Sequence, residues 1–141
     1  MIYIGIDTGV HTGIAYWDSE TQSFDLIKTV KIHEAMAMVK AGIELSKNGI
    51  YQPIKVVFED ARQRKWFGNA GREQLQGAGS IKRDCSIWED FLKSLKADFE
   101  MVAPKDNRTK LNAQFFAKIT GWKERTSEHS RDAAMLVFGR K

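Results

Sequence analysis

Two apolar segments that each end in an acidic residue constrain the fold of this chain more than any other feature. Residues 2–6 end at Asp7, and residues 54–58 end at Glu59. A helical pattern lies between them, with apolar side chains at positions 32, 35, 36, 39 and 43. A crossover helix of this kind favours parallel strands that are neighbours in one sheet. We therefore expect Asp7 and Glu59 to lie at the same end of one sheet.

The rest of the pattern predicts further strands and helices around that pair. Strand patterns near residues 14–17 and 24–30 extend the first strand into a three-stranded antiparallel meander. Glycine and proline positions then delimit a helix at about 72–96, a strand at 99–103, a helix at about 108–119 and a last helix from Glu128. The order predicts an α/β fold in which helices flank a mixed five-stranded sheet.

The long predicted helix contains Gly77 and Gly79. An interior glycine costs a helix about 1 kcal/mol relative to alanine. These two glycines therefore indicate either close backbone packing or a break in the helix.

Length and composition favour one soluble domain spanning residues 1–141. A chain of 141 residues buries about two-thirds of the surface that its unfolded form exposes. No apolar run approaches the roughly 20 residues that cross a bilayer, and the N-terminus lacks the basic region of a signal peptide. Cys85 is the single cysteine, so no intramolecular disulfide can form. We expect a cytoplasmic protein without a membrane partner.

Charge is distributed unevenly along the chain. Residues 1–61 contain five lysines and eight acidic residues, for a net charge of −3, whereas residues 62–141 carry a net charge of +7. An acidic first half that contains Asp7 and Glu59, followed by a basic second half, suits a protein that holds a divalent cation beside a phosphate backbone. A merely basic surface explains the charge equally well.

A second pair of candidate ligands begins the final helix. His129 and Asp132 are three residues apart and therefore share one helix face. Mg²⁺ binds carboxylate oxygens and keeps several waters, and two such ions about 3.5–4 Å apart can activate a water and stabilise the leaving oxygen of a phosphodiester. Asp7, Glu59, His129 and Asp132 together supply suitable ligands.

Each of these residues also has a purely structural interpretation. Asp7 suits the turn that follows it, and Asp132 suits the helix dipole. His129 could equally be a helix cap or a hydrogen-bond partner of a ligand. Asp60 is an alternative to Glu59 as the metal ligand. Alternation along a strand places the two on opposite faces, so one of them could be a solvated surface residue.

A basic and aromatic segment, residues 62–71, follows Glu59. Trp66 and Phe67 can stack on or wedge between bases, or else pack in the core or a dimer interface. We predict that nucleic acid contacts the basic and aromatic residues Arg62, Arg64, Lys65, Trp66, Phe67, Arg72, Lys82, Arg83, Lys105, Arg108 and Lys110. Trp88, Phe91 and Cys85 are expected to have packing roles, and His11 and His33 to lie on the surface.

Three short motifs resemble those of RuvC-type Holliday-junction resolvases, within the RNase H-like superfamily. Residues 4–9, Ile-Gly-Ile-Asp-Thr-Gly, with Thr12 and Gly13, look like the first motif. Residues 57–59, Val-Phe-Glu, look like the second, and residues 129–134, His-Ser-Arg-Asp-Ala-Ala, like the third. The element order is similar over nearly the whole chain.

The resemblance implies an RNase H-like fold and a Mg²⁺- or Mn²⁺-dependent endonuclease, with two ions in each active site. It implies a homodimer that cuts four-way DNA junctions in recombination and repair, without a nucleotide cofactor. Asp7, Glu59 and Asp132 would bind metal. His129 would either bind metal or assist the attacking water, and Lys105 and Lys110 match basic residues near the site. The short stretch after the last motif leads us to expect a compact, phage-type member.

Other functions remain open from the sequence. An RNA-processing or flap nuclease would use the same scaffold, and a non-catalytic protein could bind junctions without cutting them. An actin-like ATPase shares the Asp7-Thr8-Gly9 pattern, but its fold needs two such domains. The sequence leaves open the preferred cleavage sequence and the choice among junction, flap and RNA.

Overall fold

The computed structural model describes residues 1–63, 72–106 and 110–141, and for residues 72–75 and 105 it describes the backbone only. The strands are β1 (Ile2–Asp7), β2 (His11–Asp18), β3 (Ser23–Lys31), β4 (Ile54–Glu59) and β5 (Asp98–Val102). The helices are α1 (Ile32–Lys47), α2 (Arg72–Ser94), α3 (Ala113–Thr120) and α4 (Glu128–Met135). Short 3₁₀ turns cover Ala61–Gln63 and Pro104–Asp106.

The five strands form one mixed sheet in the order β3-β2-β1-β4-β5. β1 pairs antiparallel with β2, and β2 with β3, which confirms the predicted meander. β4 lies parallel to β1 and β5 parallel to β4. The register places Ile6 opposite Phe58, so that β1 and β4 end side by side at Asp7 and Glu59.

Alternation along the strands divides the core between the two faces of the sheet. One face carries Ile2, Ile4 and Ile6 of β1 against buried residues of α1 and α2, among them the fully buried Trp88. The other face carries Ala15, Trp17 and Val57 against α3 and α4. Helices therefore flank the mixed sheet on both sides, as predicted.

The long helix α2 corrects one expectation about its glycines. It runs without interruption through Gly77 and Gly79. A Cβ added at either position would meet no atom within 4 Å among the residues that the structure describes. The helix therefore has no break at these glycines, and neither glycine has a close packing partner in the part of the chain that the structure describes.

The helix predicted from about residue 108 begins later, at Ala113. Asn112 is its N-cap, because its side-chain oxygen accepts a hydrogen bond from the amide of Phe115 at 2.8 Å. Lys110 consequently precedes the helix and has a left-handed backbone, with φ of 64°.

Packing predictions for several single residues are confirmed. Trp88 and Phe91 contact each other edge to face in the core, with centroids 5.8 Å apart. Cys85 is a buried free thiol, and His11 and His33 are exposed. No helix within the described ranges is long and apolar enough to cross a membrane.

Candidate active site

A cavity of about 310 Å³ opens where β1 and β4 end, and the four predicted ligands all line it. Asp7 and Glu59 come from these two strand ends, and His129 and Asp132 come from the first two turns of α4. The cavity therefore joins side chains that are as far apart as 125 positions in sequence.

Strand alternation explains why Asp7 and Glu59 face the same way. Ile6 and Phe58 contribute to the core on the α1 and α2 side, so the next residue of each strand points toward α4. Asp60 continues the alternation and contacts Cys85 of α2. The prediction that Glu59 and Asp60 lie on opposite faces is thus confirmed.

Two glycines let α4 approach the sheet closely. A Cβ on Gly13 would lie 2.0 Å from the backbone oxygen of His129, and one on Gly5 would lie 2.1 Å from that of Ala133. Both distances are shorter than any side chain tolerates, so only glycine permits this contact. The close approach brings the first turn of α4 to the end of β1.

A capping box defines where α4 begins. The Ser127 hydroxyl accepts a hydrogen bond from the amide of Ser130, and the Ser130 hydroxyl accepts one from the amide of Ser127. The hydroxyl of Thr29 on β3 also contacts that of Ser127. The helix start is thereby attached to the sheet, which fixes where His129 and Asp132 project.

His129 and Asp7 form a direct hydrogen bond. Nδ1 of His129 lies 2.8 Å from Oδ2 of Asp7. An ionised carboxylate only accepts hydrogen bonds, so Nδ1 carries the proton when Asp7 is ionised and His129 is neutral. Nε2 of the ring then has the lone pair and can accept a proton from a water in the cavity.

The electrostatics of the cavity oppose further negative charge. Burial raises the pKa of Asp7 from 3.8 to about 6, and the neighbouring carboxylates of Asp132 and Glu59 add to the rise, against the lowering effect of His129. Burial also raises the pKa of Asp132, with a further contribution from Glu128. A carboxyl group whose pKa is raised by burial and by neighbouring acids is a favourable setting for a cation.

Asp132 is oriented by the segment that precedes α3. Its Oδ1 accepts a hydrogen bond from the amide of Lys110 at 2.9 Å. Arg131 binds the same segment, because its Nε donates to the backbone oxygen of Leu111 at 2.7 Å. Lys110 thus contributes its backbone amide to the site.

The chemistry of the candidate ligands fits a divalent cation, but their side chains do not converge closely around one point. Three carboxylates and an imidazole surround one cavity, which is the ligand type that Mg²⁺ or Mn²⁺ takes. Within residues 1–63, 72–106 and 110–141, no three histidine, cysteine or acidic side chains converge closely enough to hold an ion as they stand. Metal binding would require these side chains to move closer together.

The predicted DNA contacts are only partly covered by the structure. Lys110 lines the cavity, and Lys82 and Arg83 are exposed on α2. Arg62 is held in ion pairs with Asp60 and Glu89, and its role as a DNA contact stays a prediction. The side chains of Arg72 and Lys105, and all of Arg64, Lys65, Trp66, Phe67 and Arg108, lie outside the described residues.

The cavity also includes a residue that sequence reasoning missed. Glu128, the first residue of α4, lines it beside His129. Its position in the first turn of the helix was the available signal, but an acidic residue there is also what the helix dipole favours. The structural roles of Gly5 and Gly13 were likewise missed, although glycines inside buried strands often mark a close backbone approach.

Comparisons with known proteins agree on the fold. No protein-family profile and no curated protein sequence matches the chain. Its structure is similar to that of T. thermophilus RuvC in complex with Holliday junction substrate, with a TM-score of 0.54 and 17% identity over 98% of this chain and 90% of that chain. The chain has the RNase H-like fold of RuvC.

Two further solved structures are similar. A Thermus thermophilus RuvC structure matches with a TM-score of 0.50 and 16% identity, over 98% of this chain and 92% of that chain. The likeness to Fowlpox virus resolvase, in a complex with substrate Holliday junction DNA, is weaker, with a TM-score of 0.41 and 14% identity over 87% of this chain and 78% of that chain.

Proposed function

We propose that this protein is a divalent-metal-dependent endonuclease that cuts branched DNA, with the four-way junction as its main substrate. The observation that carries the proposal is the convergence of Asp7, Glu59, His129 and Asp132 on one cavity in a chain with the RuvC fold. The solved RuvC complex contains a Holliday junction substrate, which supports this substrate class.

In the proposed mechanism Asp7, Glu59 and Asp132 would hold two Mg²⁺ or Mn²⁺ ions. Such ions would supply the chemistry for activating a water and for stabilising the leaving oxygen of the phosphodiester. His129 either completes the ligand set or accepts a proton from the attacking water through Nε2, because Nδ1 is directed at Asp7. The amide of Lys110 keeps Asp132 oriented.

The second half of the chain would bind the DNA backbone. Lys82 and Arg83 on α2 and the side chain of Lys110 at the cavity are suitable phosphate contacts.

Resolving a junction requires cuts in two opposed strands, so we propose a homodimer with one cavity for each strand. Light scattering of the free protein and of its junction complex tests the dimer.

The decisive experiment compares substrates under Mg²⁺. Labelled four-way junction, flap, linear duplex and structured RNA are incubated with the wild-type protein and with Asp7→Asn, and binding is measured separately in EDTA. We expect the wild type to cut the junction fastest, and Asp7→Asn to bind the junction but not to cut it.

Other outcomes point to different functions. If RNA or flaps are cut faster than the four-way junction, the proposed substrate class is wrong but the proposed mechanism still applies. Tight junction binding without cleavage by the wild type would indicate a non-catalytic junction-binding protein. Normal cleavage by Asp7→Asn would eliminate the proposed mechanism.

A further inference from the structure

Three charged side chains form an ion-pair cluster immediately after Glu59, on the side of the sheet that packs against α2. Arg62 donates from Nε to Oδ1 of Asp60 at 2.9 Å. Its Nη1 and Nη2 donate to the two carboxylate oxygens of Glu89, on α2, at 3.1 and 3.4 Å. The cluster of Asp60, Arg62 and Glu89 thus joins the end of β4 to the middle of α2.

The geometry of this cluster distinguishes it from an ordinary surface ion pair. The two contacts to Glu89 are bidentate, which adds both energy and orientation. The acids are well covered, with side chains 15% exposed for Asp60 and 19% for Glu89. Asp60 also accepts a hydrogen bond from Nε2 of Gln63 at 3.1 Å.

The cluster is connected to the cavity through short links. Asp60 continues the sheet, since its amide donates to the backbone oxygen of Val102 at 2.8 Å. Ala61, between the two charged residues, is buried and lines the cavity. The thiol of Cys85 lies 3.7 Å from the backbone oxygen of Glu59 and 3.7 Å from Oδ1 of Asp60.

One stripe of α2 supports all of these contacts. Ile81, Cys85 and Glu89 are spaced by four residues and therefore lie along one face of the helix. Ile81 lines the cavity, Cys85 contacts the end of β4, and Glu89 binds Arg62. The stripe holds the backbone of Glu59 and the residues that follow it against α2.

The alternative role for Arg62 is a direct contact to DNA phosphate. In the structure its Nε, Nη1 and Nη2 all point at protein acceptors, and Nη2 also lies 3.6 Å from the sulfur of Met101. A phosphate contact would have to give up the bidentate pair with Glu89, which a solvated lysine does not have to do.

We propose that Asp60, Arg62 and Glu89 are positioning residues that hold Glu59 in place for metal binding, and that Arg62 does not bind DNA. This inference rests on the proposed function, because it takes Glu59 as a metal ligand. Residues that orient a metal ligand typically change metal affinity by about 10–100-fold when they are removed.

The test combines two substitutions that affect DNA binding in opposite directions. Arg62→Gln removes one positive charge, and Glu89→Gln removes one negative charge, so that electrostatics alone would weaken DNA binding in the first and strengthen it in the second. Glu44→Gln, at an exposed position on α1, is the matched control. Mn²⁺ affinity is measured by electron paramagnetic resonance without DNA, and junction binding in EDTA at several salt concentrations.

If the cluster positions Glu59, both variants lose about tenfold or more in Mn²⁺ affinity, and the double variant loses no more than either one. Junction binding then stays within about twofold of the wild type apart from the small charge effect. Glu44→Gln binds Mn²⁺ normally. In the cleavage assay, kcat falls while KM for the junction changes little.

Three results would overturn the proposal. The first is that the wild type binds no Mn²⁺. The second is that both variants unfold at a lower temperature than the wild type but bind Mn²⁺ normally below their unfolding temperatures. The third is an Arg62→Gln variant whose salt dependence of junction binding falls by about one unit while its Mn²⁺ affinity is unchanged, which identifies a phosphate contact. If Mn²⁺ affinity depends on this cluster but the wild type cuts no branched DNA, only the proposed function is refuted.

Discussion

Asp7 and Asp18 stand at opposite ends of the same pair of strands, and their surroundings are opposite as well. Asp18 ends β2 and accepts hydrogen bonds from the amide of Glu20 at 2.8 Å and that of Thr21 at 3.4 Å, and from the side chain of Gln52 at 3.3 Å. These donors lower the pKa of Asp18. Burial and neighbouring acids instead raise the pKa of Asp7 to about 6.

The difference separates a stabilising end of the sheet from the end that we propose to be functional. At the Asp18 end, three hydrogen-bond donors surround the carboxylate. At the Asp7 end, like charges are brought together around a cavity. A rigid fold that holds like charges close together is typical of a site where a bound ligand offsets their repulsion.

The largest expected effect is on catalysis. Replacing Asp7 by Asn should lower junction cleavage by about a thousandfold or more, because it removes a ligand of ions that supply several kcal/mol of stabilisation. Asp18→Asn, the same substitution at the other end, should cut at the wild-type rate below its unfolding temperature. Equal losses in both variants would erase the functional distinction between the ends.

The second prediction concerns the glycines beneath α4. Gly13→Ala should lower the free energy of unfolding by about 3 kcal/mol, because the new Cβ would overlap the backbone oxygen of His129 and force the helix outward. Cleavage by the folded fraction should fall as well, since His129 moves away from Asp7. Denaturant titration and cleavage rates measure the two effects, and a fully active variant would show that close approach of α4 is dispensable.

The third prediction compares the pH dependence of stability at the two ends, in EDTA. The folded pKa of Asp7, about 6, lies above its ordinary value of 3.8, so its charge destabilises the fold increasingly from about pH 4 to 6. Asp7→Asn should therefore be more stable than the wild type at pH 7, by at most about 3 kcal/mol. This advantage should disappear near pH 4.

Asp18→Asn should show the opposite sign. The lowered pKa of Asp18 means that its charge stabilises the fold above its unfolded pKa, and that this contribution is lost as the pH falls through the folded pKa. The variant should unfold at a lower temperature than the wild type at pH 7, with the deficit shrinking in acid. Thermal unfolding from pH 3 to 8 measures both series, and curves of the same sign would refute the comparison.

The smallest expected effect lies in α2, away from both ends. Gly77→Ala should raise the free energy of unfolding by about 1 kcal/mol, because the position faces open space among the described residues and alanine favours the helix. Denaturant titration beside Gly13→Ala makes the contrast direct. A loss of stability in Gly77→Ala would reveal a contact that these residues do not show.

Much of the site could be predicted from short segments of sequence. The apolar runs before Asp7 and Glu59 indicate buried strands, and alternation alone separates Glu59 from Asp60. The three-residue spacing of His129 and Asp132 places both on one helix face. The crossover rule then makes β1 and β4 parallel neighbours, which the structure confirms.

Other features could not be predicted from the sequence. Nothing local indicates that the amide of Lys110 holds Asp132, or that Arg62 pairs with Glu89, which is 27 positions away. The predicted start of the third helix, near residue 108, was wrong. The helix begins after Asn112, because the side chain of Asn112 caps it there.

The sequence by itself determined which side chains could bind a cation, because strand and helix periodicities set the direction of each one within its own element. The tertiary structure alone decided how these side chains meet. The hydrogen bond from His129 to Asp7, the raised pKa of Asp7 and the close approach of α4 over Gly13 all depend on contacts between distant segments. Such contacts follow from packing three layers together, and no local pattern encodes them.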